Sequence, residues 1–249
     1  VSKELQDSVA VVTGGTTGIG LAVAKRFVAE GAEVYVTGRR QETLDAAVAD
    51  IGEHAHGVRS DSSDLADLDR LFAEVKERSG KIDVLVANAG GAVGANLGEI
   101  TEEQFDATFG TNVKGVVFTV QKALPLLADH ASVIIVGSTT SETGLPGASI
   151  YGATKAAVRN LARSWIIELK GQGIRINVLS PGPTRTPGLL GLADSSEANA
   201  FLDAQAAAVP LGRIAEPDEI AKAAVFLASD AASFVNGTEF FVDGGQAQT

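Results

Sequence analysis

Strand-length apolar runs alternate with helix-length segments along nearly the whole chain, and no other feature of the sequence restricts the fold as much. The runs Val9–Thr13, Glu33–Thr37, His56–Arg59, Val84–Ala87, Ser132–Gly137, Arg175–Ser180 and Glu239–Val242 are rich in Val and Ile and mostly apolar at successive positions. That is the pattern of strands covered on both faces. Between them lie Leu21–Glu30, Gln41–Asp50, Leu65–Arg78, Val113–Leu127, Ser149–Lys170 and Asp218–Ala228, with apolar residues at helical spacing. Leu65, Leu68, Leu71, Phe72 and Val75, for example, make one stripe. Strands and helices in alternation imply a parallel sheet with crossover helices. No composition break or internal repeat divides the 249 residues, so residues 1–249 are expected to form a single domain. The irregular stretch is Pro181–Leu211, which opens with Pro181, Pro183 and Pro187 and continues through Ala-rich sequence carrying Leu189, Leu190, Leu192, Phe201 and Leu202. A long excursion inside a compact domain suits a lid over a binding site, here placed at residues 187–210.

Charge and composition then exclude function classes. A net charge of −11 argues against nucleic acid or an anionic membrane as the main partner. Without cysteine there are no disulfides, thiolate zinc sites or cysteine nucleophiles. The histidines are His54, His56 and His130. The first two could share a strand face, but no third ligand is in sight and no metal site is expected. No apolar run approaches the ~20 residues that span a bilayer. Val1 to Asp7 leads straight into a strand, so no signal peptide and a cytoplasmic location are expected.

The first strand runs into Thr13-Gly14-Gly15-Thr16-Thr17-Gly18-Ile19-Gly20, with a helix following. Glycine at Gly14, Gly18 and Gly20 allows a tight turn and lets backbone N–H groups approach an anion at the helix N-terminus. The spacing, G-x-x-x-G-x-G, differs from the common dinucleotide fingerprint; by itself it also suits another nucleotide binder, such as a methyltransferase. The second strand leads into Gly38-Arg39-Arg40, where NAD binders carry an acidic residue for the ribose 2′-hydroxyl. Gly38 leaves room there, and Arg39 and Arg40 could grip a 2′-phosphate with charge-assisted hydrogen bonds. NADP(H) is therefore expected over NAD(H).

Tyr151 and Lys155 lie at i and i+4, on one helix face. A free phenol ionises near pH 10, and a neighbouring ammonium favours the phenolate. Such a pair can protonate a ketone oxygen or deprotonate an alcohol. Upstream, Ser138 follows an apolar strand, and open parallel sheets bind ligands at the carboxyl ends of their strands. Asn88 and Asn112 follow an apolar or loop segment, where a buried asparagine often does no more than tie backbone.

Taken together, these residues resemble the short-chain dehydrogenase/reductase family over essentially the whole chain. The resemblance is carried by Thr13-Gly14-x3-Gly18-Ile19-Gly20, Asn88-Ala89-Gly90, Thr111-Asn112-Val113, Ser138 with Tyr151-x3-Lys155, Pro181-Gly182 followed by Thr186, and Val242-Asp243-Gly244-Gly245. It implies a Rossmann-type doubly wound α/β fold with a parallel seven-stranded sheet and helices on both faces. It also implies a homotetramer, paired through the helices around Val113–Leu127 and Ser149–Lys170. Tyr151 would be the general acid/base, Lys155 would favour its phenolate and bond the nicotinamide ribose, and Ser138 would hydrogen-bond the substrate oxygen. Asn112 would hold a water relaying protons to Lys155. The cofactor would lie along Gly14, Thr16, Thr17, Gly18, Ile19 and Gly20. Asp61 would take the adenine amino group, with Ser62 beside it, and Asn88-Ala89-Gly90 would line adenine and ribose. Pro181, Gly182, Thr184 and Thr186 would bind the nicotinamide, Thr186 at its carboxamide. Two positions depart from the family pattern. Gly137 stands where Ser is frequent, and Thr184 where an aliphatic residue is common.

The expected activity is hydride transfer between NADP(H) and a ketone or secondary alcohol, with no metal in the chemistry. The leucine-rich lid suits a small apolar carbonyl or alcohol as partner. A 3-oxoacyl-[acyl-carrier-protein] reductase or a sugar or steroid dehydrogenase is the alternative, although the negative charge weighs against an acidic carrier. A non-catalytic NADP(H)-binding regulator is the reading from another class. The intact set of Asn112, Ser138, Tyr151 and Lys155 weighs against it.

Overall fold

The computed structural model describes residues 3–91, 93–192 and 198–248. The apolar runs become the strands β1 (Val9–Val12), β2 (Glu33–Gly38), β3 (Ala55–Arg59), β4 (Ile82–Ala87), β5 (Leu127–Val136), β6 (Arg175–Pro181) and β7 (Glu239–Val242). The helices are α1 (Gly18–Ala29), α2 (Gln41–Ile51), α3 (Leu65–Arg78), α4 (Glu102–Phe109), α5 (Gly115–Ala123), α6 (Ser149–Glu168), α7 (Pro187–Leu190), α8 (Ala198–Ala207) and α9 (Pro217–Ala228). All strand pairs are parallel, in the order β3-β2-β1-β4-β5-β6-β7. The sheet is the seven-stranded, doubly wound one expected. Its order reverses between β1 and β4, which opens a crevice at their carboxyl ends. Register fixes that point, because Val12 pairs with both Val36 and Val86.

Strands covered on both faces need apolar side chains at every position, and two cores meet that need. On one face Val23, Ala24 and Phe27 of α1, Leu44 of α2, and Ile220 and Leu227 of α9 pack on Val12, Val34 and Val86. On the other, Leu68, Leu71 and Phe72 of α3, Val116 and Val120 of α5 and Val158 of α6 pack on Val11, Leu85 and Val133. The helices start where capping chemistry allows. Asp64 accepts from Ala66 N at the start of α3, and Thr101 and Gln104 form a reciprocal capping box on α4. Arg175, in β6, donates to the carbonyls of Leu227 and Ser229 and so closes the C-terminus of α9 from beneath. Among the described residues no helix is long and apolar enough to cross a membrane.

Several boundaries differ from the expectation. Val113–Leu127 is not one helix. An i→i+5 turn at Gly110–Lys114 precedes α5, and a 3-10 turn at Leu124–Leu126 follows it. β5 starts earlier, at Leu127, because a bulge with His130 at φ 67° joins a first pairing at Ile82 to the main ladder at Val84. α4 was not anticipated. Pro181–Leu211 is less irregular than expected, since α7 and α8 occupy much of it; the part of the lid at 193–197 lies outside the described residues. His54 falls before β3, and His56 pairs with Glu33 at 2.7 Å.

Candidate active site

The glycine turn is fixed from three sides. Gly14 has φ +65°, and a Cβ there would sit 2.9 Å from Ala89 Cα; Gly20 has no room for a Cβ against the Gly14 carbonyl and Asn88. Asn88 Nδ2 donates to Thr13 O (2.9 Å) and Gly14 O (3.0 Å). Asn88 N and Ala89 N both donate to Thr13 Oγ1 at 3.1 Å. Asn88 therefore ties β4 to the turn. From the β2 side, Thr37 Oγ1 accepts from Gly14 N at 3.2 Å. Thr17 begins α1 without a side-chain cap, and the first turn holds no acidic residue. The free N–H groups and the positive end of the helix dipole lie at the glycine turn with no acidic side chain in the first turn to occupy them, which fits a pyrophosphate.

At the β2 end, Arg39 and Arg40 are exposed and take part in no ion pair among the described residues. They suit an anionic ligand. Gly38 is buried, and on its Cβ side the space is filled by the Thr16 methyl, with Thr16 Oγ1 at 3.4 Å. The room expected at Gly38 is thus partly closed by another residue of the glycine turn. Asp61 Oδ1 accepts from Ser63 N (2.9 Å) and Ser63 Oγ (2.7 Å). Ser62 is buried, its backbone against Gly115.

The residues expected to handle the proton lie on the other side of β4. Asn112 lies inside the i→i+5 turn and is 1% exposed. Its Nδ2 donates to Gly91 O (2.9 Å) and Thr154 Oγ1 (3.1 Å), and its Oδ1 accepts from Gly91 N (3.0 Å). The turn therefore aims the side chain at the β4 loop, a typical use of such a local widening. Lys155 is buried, donates to Val136 O at 2.8 Å, and holds its ammonium 5.5 Å from the Tyr151 ring centre. It has no carboxylate partner among the described residues. A Cβ at Gly90 would lie 3.2 Å from Asn112 Oδ1 and 3.6 Å from Lys155 Nζ, so the glycine leaves a gap between the two. Ser138 Oγ accepts from Thr140 N (3.2 Å) and is 3.0 Å from Thr140 Oγ1. With both lone pairs used by Thr140, the Ser138 proton is left for a ligand oxygen.

The last wall follows β6. A Cβ at Gly182 would come 2.7 Å from Asp243 Cα, while the Asp243 carboxylate accepts from Gly245 N (2.9 Å) and Ala247 N (2.8 Å). Thr184 is buried and donates to Gly182 O at 2.9 Å. Thr186 Oγ1 caps α7 by accepting from Leu189 N at 3.1 Å. A Cβ at Gly18 would sit 3.2 Å from its methyl, so the glycine turn and the Pro181–Thr186 loop close on each other. The structure thus brings the glycine turn against Asn88-Ala89 and Thr186, and Gly90 against Asn112 and Lys155. Thr37, Thr140 and Thr154 were not foreseen, because a single threonine in a strand, turn or helix carries no signal. Asp243 was visible only as part of the Asp-Gly-Gly ending. A glycine turn at a helix N-terminus, arginines in no ion pair among the described residues, and a buried lysine beside a phenol fit a dinucleotide next to a carbonyl or alcohol.

Comparison with known proteins agrees. The sequence profile of the family described as "Enoyl-(Acyl carrier protein) reductase" matches residues 14–247. The chain is 48% identical to an oxidoreductase of Sarocladium schorii over 99% of its own length and 98% of that protein. It is 36% identical to an NADP-dependent (R)-specific alcohol dehydrogenase of Lentilactobacillus kefiri, covering 98% of both. Among solved structures, a Brucella melitensis short-chain dehydrogenase/reductase described as glucose/ribitol dehydrogenase superimposes with a TM-score of 0.92 at 33% identity, covering 99% of both chains.

Proposed function

Because the chain belongs to the short-chain dehydrogenase/reductase family and is an oxidoreductase, we propose that it interconverts an apolar ketone and its secondary alcohol with NADP(H). The observation that supports this reading is the buried Lys155 ammonium, which has no carboxylate partner among the described residues, lies 5.5 Å from the Tyr151 ring centre and bonds Val136 O two residues before Ser138. The bound dinucleotide would supply or accept the hydride. Everything else falls to the chain. Gly14, Thr16, Thr17, Gly18, Ile19 and Gly20 hold the phosphates, Arg39 and Arg40 the 2′-phosphate, and Asp61, Ser62, Asn88, Ala89 and Gly90 the adenosine side. Pro181, Gly182, Thr184 and Thr186 hold the nicotinamide end. Ser138 donates its remaining proton to the substrate oxygen. Tyr151 gives that oxygen its proton in reduction and removes it in oxidation, while the Lys155 ammonium stabilises the phenolate left behind. The gap at Gly90 between Asn112 Oδ1 and Lys155 Nζ suits the water that would refill the proton.

An apolar substrate is supported by the exposed Val93, Leu145, Leu190 and Leu192, which stand on the segments flanking the crevice. A panel of ketones with NADPH and NADH, followed by the absorbance of reduced nicotinamide, tests the reading; no turnover on any carbonyl removes it. We also propose a homotetramer. Light scattering that gave the 25.5 kDa monomer at micromolar concentration would remove that part.

A further inference from the structure

Two loops of the crevice, one carrying Ser138 and one carrying Pro181-Gly182, rest on a single buried carboxylate. Glu239 of β7 has a side chain only 5% exposed. Its Oε1 lies 2.6 Å from Ser141 Oγ and 2.7 Å from Ser180 Oγ. The Ser141 hydroxyl is also 2.8 Å from the Ser138 carbonyl, but that carbonyl already accepts from Ser141 N at 3.0 Å. A hydroxyl has one proton, and a carboxylate is the stronger acceptor, so the proton goes to Glu239. Glu239 Oε2 lies 2.6 Å from Arg159 Nε. The two atoms are in ion contact without the alignment of a hydrogen bond, and neither has another partner among the described residues. Arg159 also pairs with Glu142, the residue after Ser141. It follows Tyr151 and Lys155 at further four-residue steps, on the same face of α6.

Gly137 now has a physical reason. A Cβ there would overlap Ser180 Oγ and lie 2.7 Å from Val178 Cγ1. The glycine that departs from the family pattern is what lets Ser180 reach Glu239. Ser180 in turn precedes Pro181, where the crevice wall begins. Ser141, in the turn after β5, and Ser180, near the end of β6, share one oxygen atom.

We propose that Glu239, held by Arg159, is a positioning residue that sets the Ser138 loop and the Pro181-Gly182 loop at a fixed separation from Tyr151 and Lys155. This rests on the redox activity proposed above. Glu239→Gln keeps the shape and removes the charge that holds both hydroxyls and Arg159. Misplacing reacting groups by a fraction of an ångström to an ångström costs up to ~10²-fold, and kcat is expected to fall roughly 10- to 100-fold. In a Ser138→Ala background the same substitution should cost clearly less kcat than in the parent, because the share that acts through Ser138 is already lost and residues acting through one another are not additive. A second readout needs no turnover. By fluorescence titration Glu239→Gln should weaken NADPH several-fold and leave 2′,5′-ADP, which lacks the nicotinamide, unchanged. Ser141→Ala removes one hydrogen bond from the same carboxylate and carries the kcat expectation at smaller size, which decides the matter if Glu239→Gln does not fold. Losses that multiply independently with Ser138→Ala, or equal weakening of NADPH and 2′,5′-ADP, would overturn the positioning role and leave the redox reading standing. A parent protein with no turnover would overturn both.

Discussion

The proposed preference for NADP(H) rests on Arg39 and on a contact between Thr16 and Gly38, and both can be tested separately. Arg39 is exposed and in no ion pair among the described residues, so Arg39→Leu removes a cation without stranding a described partner. A hydrogen bond to a charged group contributes roughly 1.5–3 kcal/mol, or about ten- to a hundredfold in affinity for NADPH. Exposure places Arg39 at the low end of that range and makes the loss shrink as salt is raised. Installing an acid for the 2′-hydroxyl is harder. In Gly38→Asp the new Cβ overlaps the Thr16 methyl, and overpacking a buried site costs about 1–3 kcal/mol. Thr16→Ser removes that methyl, and an oxygen kept at the Thr16 Oγ1 position would be 3.4 Å away, an ordinary contact. The expected order is therefore specific. Gly38→Asp with Arg39→Leu weakens both cofactors, and adding Thr16→Ser restores NADH and inverts the preference by attraction and repulsion together. Steady-state kcat/KM for NADPH and NADH at two ionic strengths reads it. A parent that prefers NADH, or an Arg39→Leu variant whose NADPH/NADH ratio moves less than ~3-fold, refutes the role of the arginine. A Gly38→Asp variant as stable as its Thr16→Ser partner refutes the steric argument.

Tyr151→Phe should fold and bind NADPH while turnover falls on the order of 10²–10⁴-fold, and Lys155→Ala should lower both cofactor affinity and rate; near-parent turnover in Tyr151→Phe would mean the proton comes from elsewhere. Arg175→Met removes the guanidinium's hydrogen bonds to the carbonyls at the end of α9, while Ser132 Oγ still reaches Leu227 O and Ala232 N still reaches Ser229 O, and losing a hydrogen bond to a charged group costs about 1.5–3 kcal/mol. Chemical unfolding should show at least that loss, and none would mean that water caps the helix equally well. Glu219 bonds Arg213 and the Glu216 N–H, and these hold its carboxyl down at about 2. A lowered folded value gives stability that is present above the usual carboxylate range and lost as pH falls towards 2. The stability gap between the parent and Glu219→Gln should narrow over that window, and a gap independent of pH would contradict the assignment.

The sheet was legible because parallel strands covered on both faces must be apolar at each position, as Val9–Val12 and Val84–Ala87 are. What escaped notice lacked that imprint. α4 buries only Thr108, and its one signal was the Thr101–Gln104 capping box. α8 has no buried residue, so its alanines show no stripe among the prolines and leucines around it. The site was legible where its residues lie close in sequence, as Tyr151 and Lys155 do on one helix face. Glu239 was not, because its partners Ser141, Arg159 and Ser180 come from three other segments and only the tertiary fold brings them together. The Thr16 methyl over Gly38 belongs to the same class, since a glycine in sequence does not say what occupies the space of its absent side chain.

The i→i+5 turn at Gly110–Lys114 has a consequence for recombination. Each α-helical residue advances about 100° and 1.5 Å, so a turn that takes in one extra residue rotates everything after it by about that angle. α5 buries Val116, Thr119, Val120 and Ala123 in this shifted phase. Deleting one residue from 110–114 would reel α5 back, swing that stripe off the sheet and pull Asn112 away from Gly91. A chimera joined to a related chain between Glu102 and Ala123 must therefore inherit the whole turn from one parent. Junctions falling inside it, where the other parent lacks the extra residue, should yield misphased, poorly folding hybrids, whereas junctions in the exposed loop before Thr101 carry no such penalty.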